Sequence, residues 1–342
     1  MRSSVRIIVD AMGGDNAPEA LVKGALSVHG QGGVEIILAG REEEILAAAG
    51  GSVPAGVQVV DAREVIEICD DPATAFKRKK DSSVTVGLTL LKNGEGDAFV
   101  SAGSTGALLS AATLIVKRVR GIRRAALCPV IPTATGRAVL IDCGANAECT
   151  AEYLTQFAYL GSFYARRVLG VKRPRVGLLN IGAEPSKGDA LRHETYPILQ
   201  AAGERGELNF IGNIEAKEAI LGGCDVIVSD GFAGNIMLKS IEGVGSFLGR
   251  EVKGMFLRSG LSKMCALLMK GSLRTFKEKI DPDTIGGTAF IGISKPVIKA
   301  HGSSGERAIA QAVRQAAAVA RSGIIADIEA NVSRMHPSAE QL

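Results

Sequence analysis

The sequence predicts an α/β protein, a three-layer α/β/α sandwich around a mixed, mainly parallel sheet, with a helical hairpin protruding from it. Three observations predict this class. Apolar runs of four to six residues, rich in Val and Ile, recur along the chain and stop at Gly, Asn, Ser or Asp, as fully buried parallel strands do. Helix-period segments fill most of the intervals between them. The 42 glycines among 342 residues suit many tight strand-to-helix turns.

Strands are expected near 5–9, 34–39, 57–60, 97–101, 126–131, 137–142, 175–180, 208–211, 225–229 and 288–293. Helices are expected over 17–29, 41–48, 72–79, 83–93, 105–119, 151–168, 189–202, 215–221 and 234–258, with an Ala-rich terminal helix near 305–321. The runs 126–131 and 137–142 flank Pro132-Thr133-Ala134-Thr135-Gly136, which reads as a hairpin and makes the sheet mixed. No Pro/Ser-rich linker or repeat divides the chain, so residues 1–342 are read as a single α/β domain.

The junction of the first strand with Asp10-Ala11-Met12-Gly13-Gly14-Asp15-Asn16-Ala17-Pro18-Glu19 is the most informative stretch. Asn16 with Glu19 three residues on has the pattern of a capping box, and Pro18 suits a first helical turn. A glycine turn opening a helix favours an anion, because free N–H groups and the helix dipole point at it. Four more strand ends carry polar loops: Ser101-Ala102-Gly103-Ser104-Thr105-Gly106, Asp142-Cys143-Gly144-Ala145-Asn146, Asn180 to Gly188, and Ser229-Asp230-Gly231-Phe232-Ala233-Gly234-Asn235. Ligands in open α/β sheets bind beyond the carboxyl ends of the strands. All five loops are therefore expected to line one cleft. Its substrate-binding candidates are Asp10, Gly13, Gly14, Asn16, Ser101, Gly103, Ser104, Thr105, Gly106, Asn146 and Asn235.

Three catalytic candidates stand out. Lys187, just before a helix, suits an anion-binding cation or a solvated loop charge; Asp230 positions a ligand or caps the helix near Gly234; His301 in His301-Gly302-Ser303-Ser304 is a general acid or a structural residue. Ser104 sits in a loosened form of the nucleophile elbow, without the strict glycine at position 102, and Cys143 reads as a buried thiol. Six scattered cysteines make no zinc pattern, so neither metal nor cofactor is expected and the thiols read as reduced and cytoplasmic. A net charge of +4 and 4% aromatic residues argue against nucleic acid. The early charge at Asp10 argues against a signal peptide, and the uncharged stretch 98–116 is too polar to span a bilayer.

Over 244–279, apolar Val244, Phe247, Leu248, Val252, Met255 and Phe256 recur at helical spacing, and Leu261, Met264, Cys265, Leu268 and Met269 follow after Ser259-Gly260. Eight Lys/Arg against two acids make this hairpin basic. It fits an anionic membrane surface, or a second copy in a homodimer, or both.

The strings DAMGGDNAPEA, VSAGSTGALL, DCGAN, LLNIG, DGFAGN and HGSS, in this order over roughly 5–325, resemble the phosphate acyltransferases of bacterial phospholipid synthesis. Ser104, the loop around Ala183 and Pro185, and Ile285-Gly286-Gly287-Thr288-Ala289-Phe290 depart from the usual pattern. The resemblance implies an isocitrate dehydrogenase/phosphotransacetylase-like fold and transfer of a fatty acyl group from acyl carrier protein to inorganic phosphate. It also implies delivery of acyl phosphate to a membrane glycerol-3-phosphate acyltransferase, while the thiols and the basic hairpin lead to the expectation of a cytoplasmic, peripherally membrane-associated protein. The rivals are a short-chain phosphotransacetylase using acyl-coenzyme A, a dinucleotide-dependent dehydrogenase, and a non-enzymatic lipid-binding scaffold.

Overall fold

A computed structural model describes residues 4–273 and 286–336. The described strands are β1 (Val5–Asp10), β2 (Val34–Gly40), β3 (Gln58–Asp61), β4 (Ala98–Ser101), β5 (Ala126–Cys128), β6 (Val130–Thr133), β7 (Gly136–Ile141), β8 (Arg175–Leu179), β9 (Asn209–Ile214), β10 (Val226–Val228), β11 (Thr288–Ile291) and β12 (Val297–Lys299). The helices are α1 (Glu19–Leu26), α2 (Glu42–Ala48), α3 (Ala75–Arg78), α4 (Ser83–Asn93), α5 (Thr105–Ala111), α6 (Ala151–Arg167), α7 (Ala190–Glu204), α8 (Ala216–Ile220), α9 (Gly231–Leu257), α10 (Gly260–Leu268), α11 (Glu306–Arg321) and α12 (Ile324–Asn331).

The central layer is two sheets rather than the one expected. Seven strands run in the order β3-β2-β1-β4-β12-β11-β5, and five in the order β6-β7-β10-β8-β9. Both are mixed and mainly parallel: β11 runs antiparallel to β12 and β5, and β6 antiparallel to β7. The division falls inside the run read as one strand over 126–131. Pro129 has no N–H to give a ladder, so Cys128 pairs with Ala289 in the first sheet while Val130 pairs with Val139 in the second. The predicted hairpin survives as β6–β7, closing at Thr133 and Gly136.

Alternation along the strands builds a core on each face. Ile7 and Val9 join Leu21 of α1 and Ile309 of α11. Ile8 points the other way, to Phe99 and to Leu88 of α4. Each apolar cluster draws on both sheets, with α6 covering one face of the second sheet and Met237 of α9 the other. Helix α9 is anchored at its start, where Gly231, Gly234 and Met237 are buried, and then leaves the body. It packs with α10, which buries none of its residues. Positions 274–279 of the predicted hairpin lie outside the described residues.

Candidate active site

The ends of β1 and β4 are stapled together by polar groups. Asp10 is fully buried and accepts hydrogen bonds from the Met12 amide at 3.1 Å and from Ser101 Oγ at 2.6 Å. Ser101 Oγ accepts in turn from the Gly103 amide at 3.0 Å. Burial pushes the Asp10 carboxyl above its usual range, against the pull of those bonds. Gly13 is required by this docking: a Cβ there would stand 2.3 Å from Asp10 Oδ2 and 2.8 Å from the Gly103 nitrogen. The neighbour it accommodates is protein, so the two glycine loops approach each other.

The first loop also docks on the segment after β12. The Asp15 amide donates to Gly302 O at 2.8 Å, and Asn16 Nδ2 donates to Ser303 O at 3.0 Å and Ser304 O at 3.3 Å. This corrects the capping box. Pro18, not Asn16, precedes the first turn of α1, no side chain caps it, and the Asn16 amide ties two loops together. Gly14 follows with φ +103°, where a Cβ would meet Gly302 O at 2.9 Å. Ser104 precedes α5 without capping it, Thr105 opens that helix, and Gly106 lies against Pro72.

In the second sheet, the buried Asp142 carboxylate gathers the β7 loop. It accepts from the amides of Leu127 (2.8 Å), Cys143 (2.7 Å), Ala145 (3.3 Å) and Asn146 (2.7 Å). The Asn146 side chain bonds Asp142 and Ala125 O, so it holds the loop rather than projecting from it. Asp230 caps α9 through the Ala233 amide at 2.9 Å and pairs with the buried Arg192 guanidinium. Both of its oxygens are thus engaged. Asn235 Nδ2 donates to Cys143 O at 3.0 Å. Burial pushes the Cys143 thiol well up, which fits an inert thiol.

Between the two sheets lies a cleft of about 600 Å³. Its lining includes Thr105, Gly144, Asn235, Lys239, Lys299 and His301. His301 is exposed, with Nδ1 2.9 Å from Ser303 Oγ. The β1 loop stands behind this wall, through its bonds to 302–304.

The expectation that all five loops share one cleft is corrected here. The β8 loop turns away to a second, larger groove of about 1650 Å³ on the other flank of α9, lined by Asn180, Asp189, Arg192, Asp230 and apolar side chains such as Phe232 and Ile236. Pro132 and Ile241 line both cavities, so α9 is the partition between them. Lys187 is exposed in that loop, outside the lining of either, with its carbonyl held by Asn180 Nδ2 at 3.0 Å. Sequence reasoning did not single out Asp142, Arg192 or Lys299. Each is a charged residue at or near an apolar run, and Lys299, directly before Ala300-His301-Gly302, carries the clearest signal of the three. No group of three or more His, Cys, Asp or Glu placed to hold a metal occurs among the described residues.

A family model described as "Fatty acid synthesis protein" matches residues 5–327. The chain belongs to that family. Its relatives include "Phosphate acyltransferase" of Thermoanaerobacter pseudethanolicus, 43% identical over 97% of this chain and 98% of that one. The "Phosphate acyltransferase" of Desulfitobacterium hafniense is 44% identical over 98% and 100%. Among solved structures, a phosphotransacetylase from Streptococcus pyogenes superposes with TM-score 0.65 at 20% identity, covering 94% of this chain and 95% of that one. A branched-chain phosphotransacylase from Enterococcus faecalis gives 0.60 at 15%, covering 93% and 99%. At these identities the structural likeness speaks for the fold, and it agrees with the layered α/β architecture of the family member described above.

Proposed function

We propose that the protein transfers a fatty acyl group from acyl carrier protein to inorganic phosphate and supplies acyl phosphate to a membrane glycerol-3-phosphate acyltransferase. Membership of the family supports acyl transfer to phosphate for phospholipid synthesis, which makes the chain an acyltransferase. The carrier as donor, the membrane enzyme as recipient and a homodimeric, membrane-bound state are parts of the proposal.

The observation that carries the reading is the cleft between the sheets. It brings loops of β4, β7, β10 and β12 around one space and carries Lys299, Lys239 and His301 in its lining. Phosphate is a mixture of monoanion and dianion at neutral pH, so it needs positioning and charge balance more than a strong base. A phosphate oxygen attacks the thioester carbonyl carbon, giving a tetrahedral oxyanion. The C–S bond then breaks, sulfur leaves with the electron pair, and the products are acyl phosphate and the carrier thiol. Asn235 uses one amide proton on Cys143 O, leaving the other for the oxyanion. His301 is assigned the proton taken by the sulfur, and Lys187, exposed in the β8 loop and lining neither cavity, is assigned a second cation that meets the acyl donor as it binds. The hairpin is assigned to anionic lipid, with a second copy as an additional contact, because Leu261, Met264, Leu267 and Leu268 stand exposed.

The donor assignment is tested by following free thiol with long-chain acyl carrier protein and with acetyl-coenzyme A at the same phosphate concentration. Release with the carrier is expected; release with acetyl-coenzyme A alone would turn the reading toward a short-chain phosphotransacetylase.

A further inference from the structure

Lys299 ends β12 in the middle of the seven-stranded sheet, between β4 and β11. A central strand end is an unusual place for a lysine, and this one is only 8% exposed. Its ammonium donates to Ala102 O at 3.2 Å and to Ala300 O. A protonated lysine has three N–H donors. Among the described residues these two carbonyls are its hydrogen-bond acceptors, and it makes no ion pair. Carbonyl dipoles satisfy donors but leave the charge itself without a counter-charge, and buried charges are ordinarily paired.

The groups whose charge reaches it are Asp10 on β1, Asp15 in the β1 loop and Lys239 on α9; His301 and Glu242 line the same cleft. Asp10 is committed to Met12 and Ser101, and Asp15 is exposed. Burial therefore dominates and lowers the ammonium to about 8, with Lys239 adding to the effect and the two carboxylates opposing it. What surrounds Lys299 is a cleft that it lines together with Thr105, Gly144 and Asn235.

We propose that Lys299 is the fixed cation of the phosphate site, its third N–H bond meeting a phosphate oxygen in the cleft between the two sheets. The same ammonium holds Ala102 and Ala300 by their carbonyls, so anion binding and the docking of the β4 and β12 loops are one structural event. This rests on the acyl-transfer reading for the identity of the anion, but the site can be tested without turnover.

Inorganic phosphate and sulfate are titrated calorimetrically into the wild-type protein, Lys299→Met and Lys299→Arg. Hydrogen bonds to charged groups contribute roughly 1.5–3 kcal/mol, so Lys299→Met is expected to weaken both anions by about 10- to 150-fold, with Lys299→Arg retaining part of the affinity. In the turnover assay the same variant is expected to raise the phosphate KM more than it lowers kcat, a split that a purely structural role would not produce. Sulfate keeps its charge between pH 7 and 9, so its affinity for the wild type is expected to fall as pH rises through about 8. Lys299→Arg, whose guanidinium stays protonated, is expected to remove that fall, and this pair of titrations tests the site even where Lys299→Met does not fold. A folded Lys299→Met with wild-type phosphate affinity, or sulfate affinity that is level or absent across that range, overturns the assignment. Lys299-dependent anion binding in a protein that releases no thiol from acyl carrier protein supports the site and overturns only the acyl-transfer reading.

Discussion

In the cleft between the sheets the cation Lys299 is 8% exposed, whereas on the hairpin it is the apolar side chains that stand in water, Leu261 at 68%, Leu267 at 71% and Leu268 at 80%. The cleft keeps a charge inside the protein behind a wall of satisfied hydrogen bonds. The hairpin leaves Arg250, Lys253, Arg258 and Lys263 solvated beside uncovered Leu and Met. Each arrangement is costly alone, one through desolvation and the other through exposed apolar area. The two regions therefore suit partners of different chemistry, and the proposals made for them differ accordingly: a small anion in one, a surface both apolar and anionic in the other.

The largest effect is expected at the hairpin. Replacing Leu261, Met264 and Leu268 with Glu should abolish co-sedimentation with vesicles containing anionic lipid, because each apolar side chain buried is worth roughly 1.5–3 kcal/mol and three are lost. Wild-type binding should weaken as salt screens the basic residues, and activity on soluble carrier-bound acyl groups should persist in the variant. If the wild type ignores vesicles at low salt while the triple variant becomes monomeric on size exclusion, the hairpin serves the second copy alone.

Lys187 tests whether anion chemistry is confined to the cleft. Lys187→Ala should lower turnover on the order of 10²–10³-fold, the usual loss for one preorganised stabiliser, with the circular dichroism spectrum unchanged. Activity within about threefold of wild type would leave the cleft cation as the only one needed.

The burial of the Lys299 charge has a consequence for stability. Lys299 titrates at about 8 in the folded protein, below the ordinary 10.5. Between those values the unfolded chain binds more protons, so this group makes stability rise with pH, by up to about 3 kcal/mol in the absence of anion. Urea denaturation at pH 7.5 and pH 10 should show this rise in the wild type and its absence in Lys299→Met. Equal pH dependence in the two proteins would mean that Lys299 is solvated.

Much of the fold is legible in the sequence, for reasons visible in particular elements. Val5–Asp10, Val34–Gly40 and Arg175–Leu179 are apolar runs ending at loops, and they fold as parallel strands. Ser82, Thr150 and Asp189 cap helices through their side chains, as their residue types favour. What was not legible depends on long-range pairing. A proline inside 126–131 can end a strand or sit at an edge, and only the partners Ala289 and Val139 assign the halves to different sheets. β12 spans three residues after Pro296, too short for a periodicity, so its lysine was not seen as buried. The polar loops at the strand ends were legible as loops, but which of them share a cleft is decided by where α9 stands between two cavities. Asn16 shows the same limit: its local spacing suggested a cap, while its partners Ser303 and Ser304 lie far along the chain.

Whether the cleft brings phosphate to an acyl thioester is read from ³¹P NMR of a reaction with long-chain acyl carrier protein. An acyl phosphate resonance is expected that grows in step with free thiol and saturates with inorganic phosphate. Thiol release at the same rate without phosphate, or with phosphate but no acyl phosphate resonance, would contradict it.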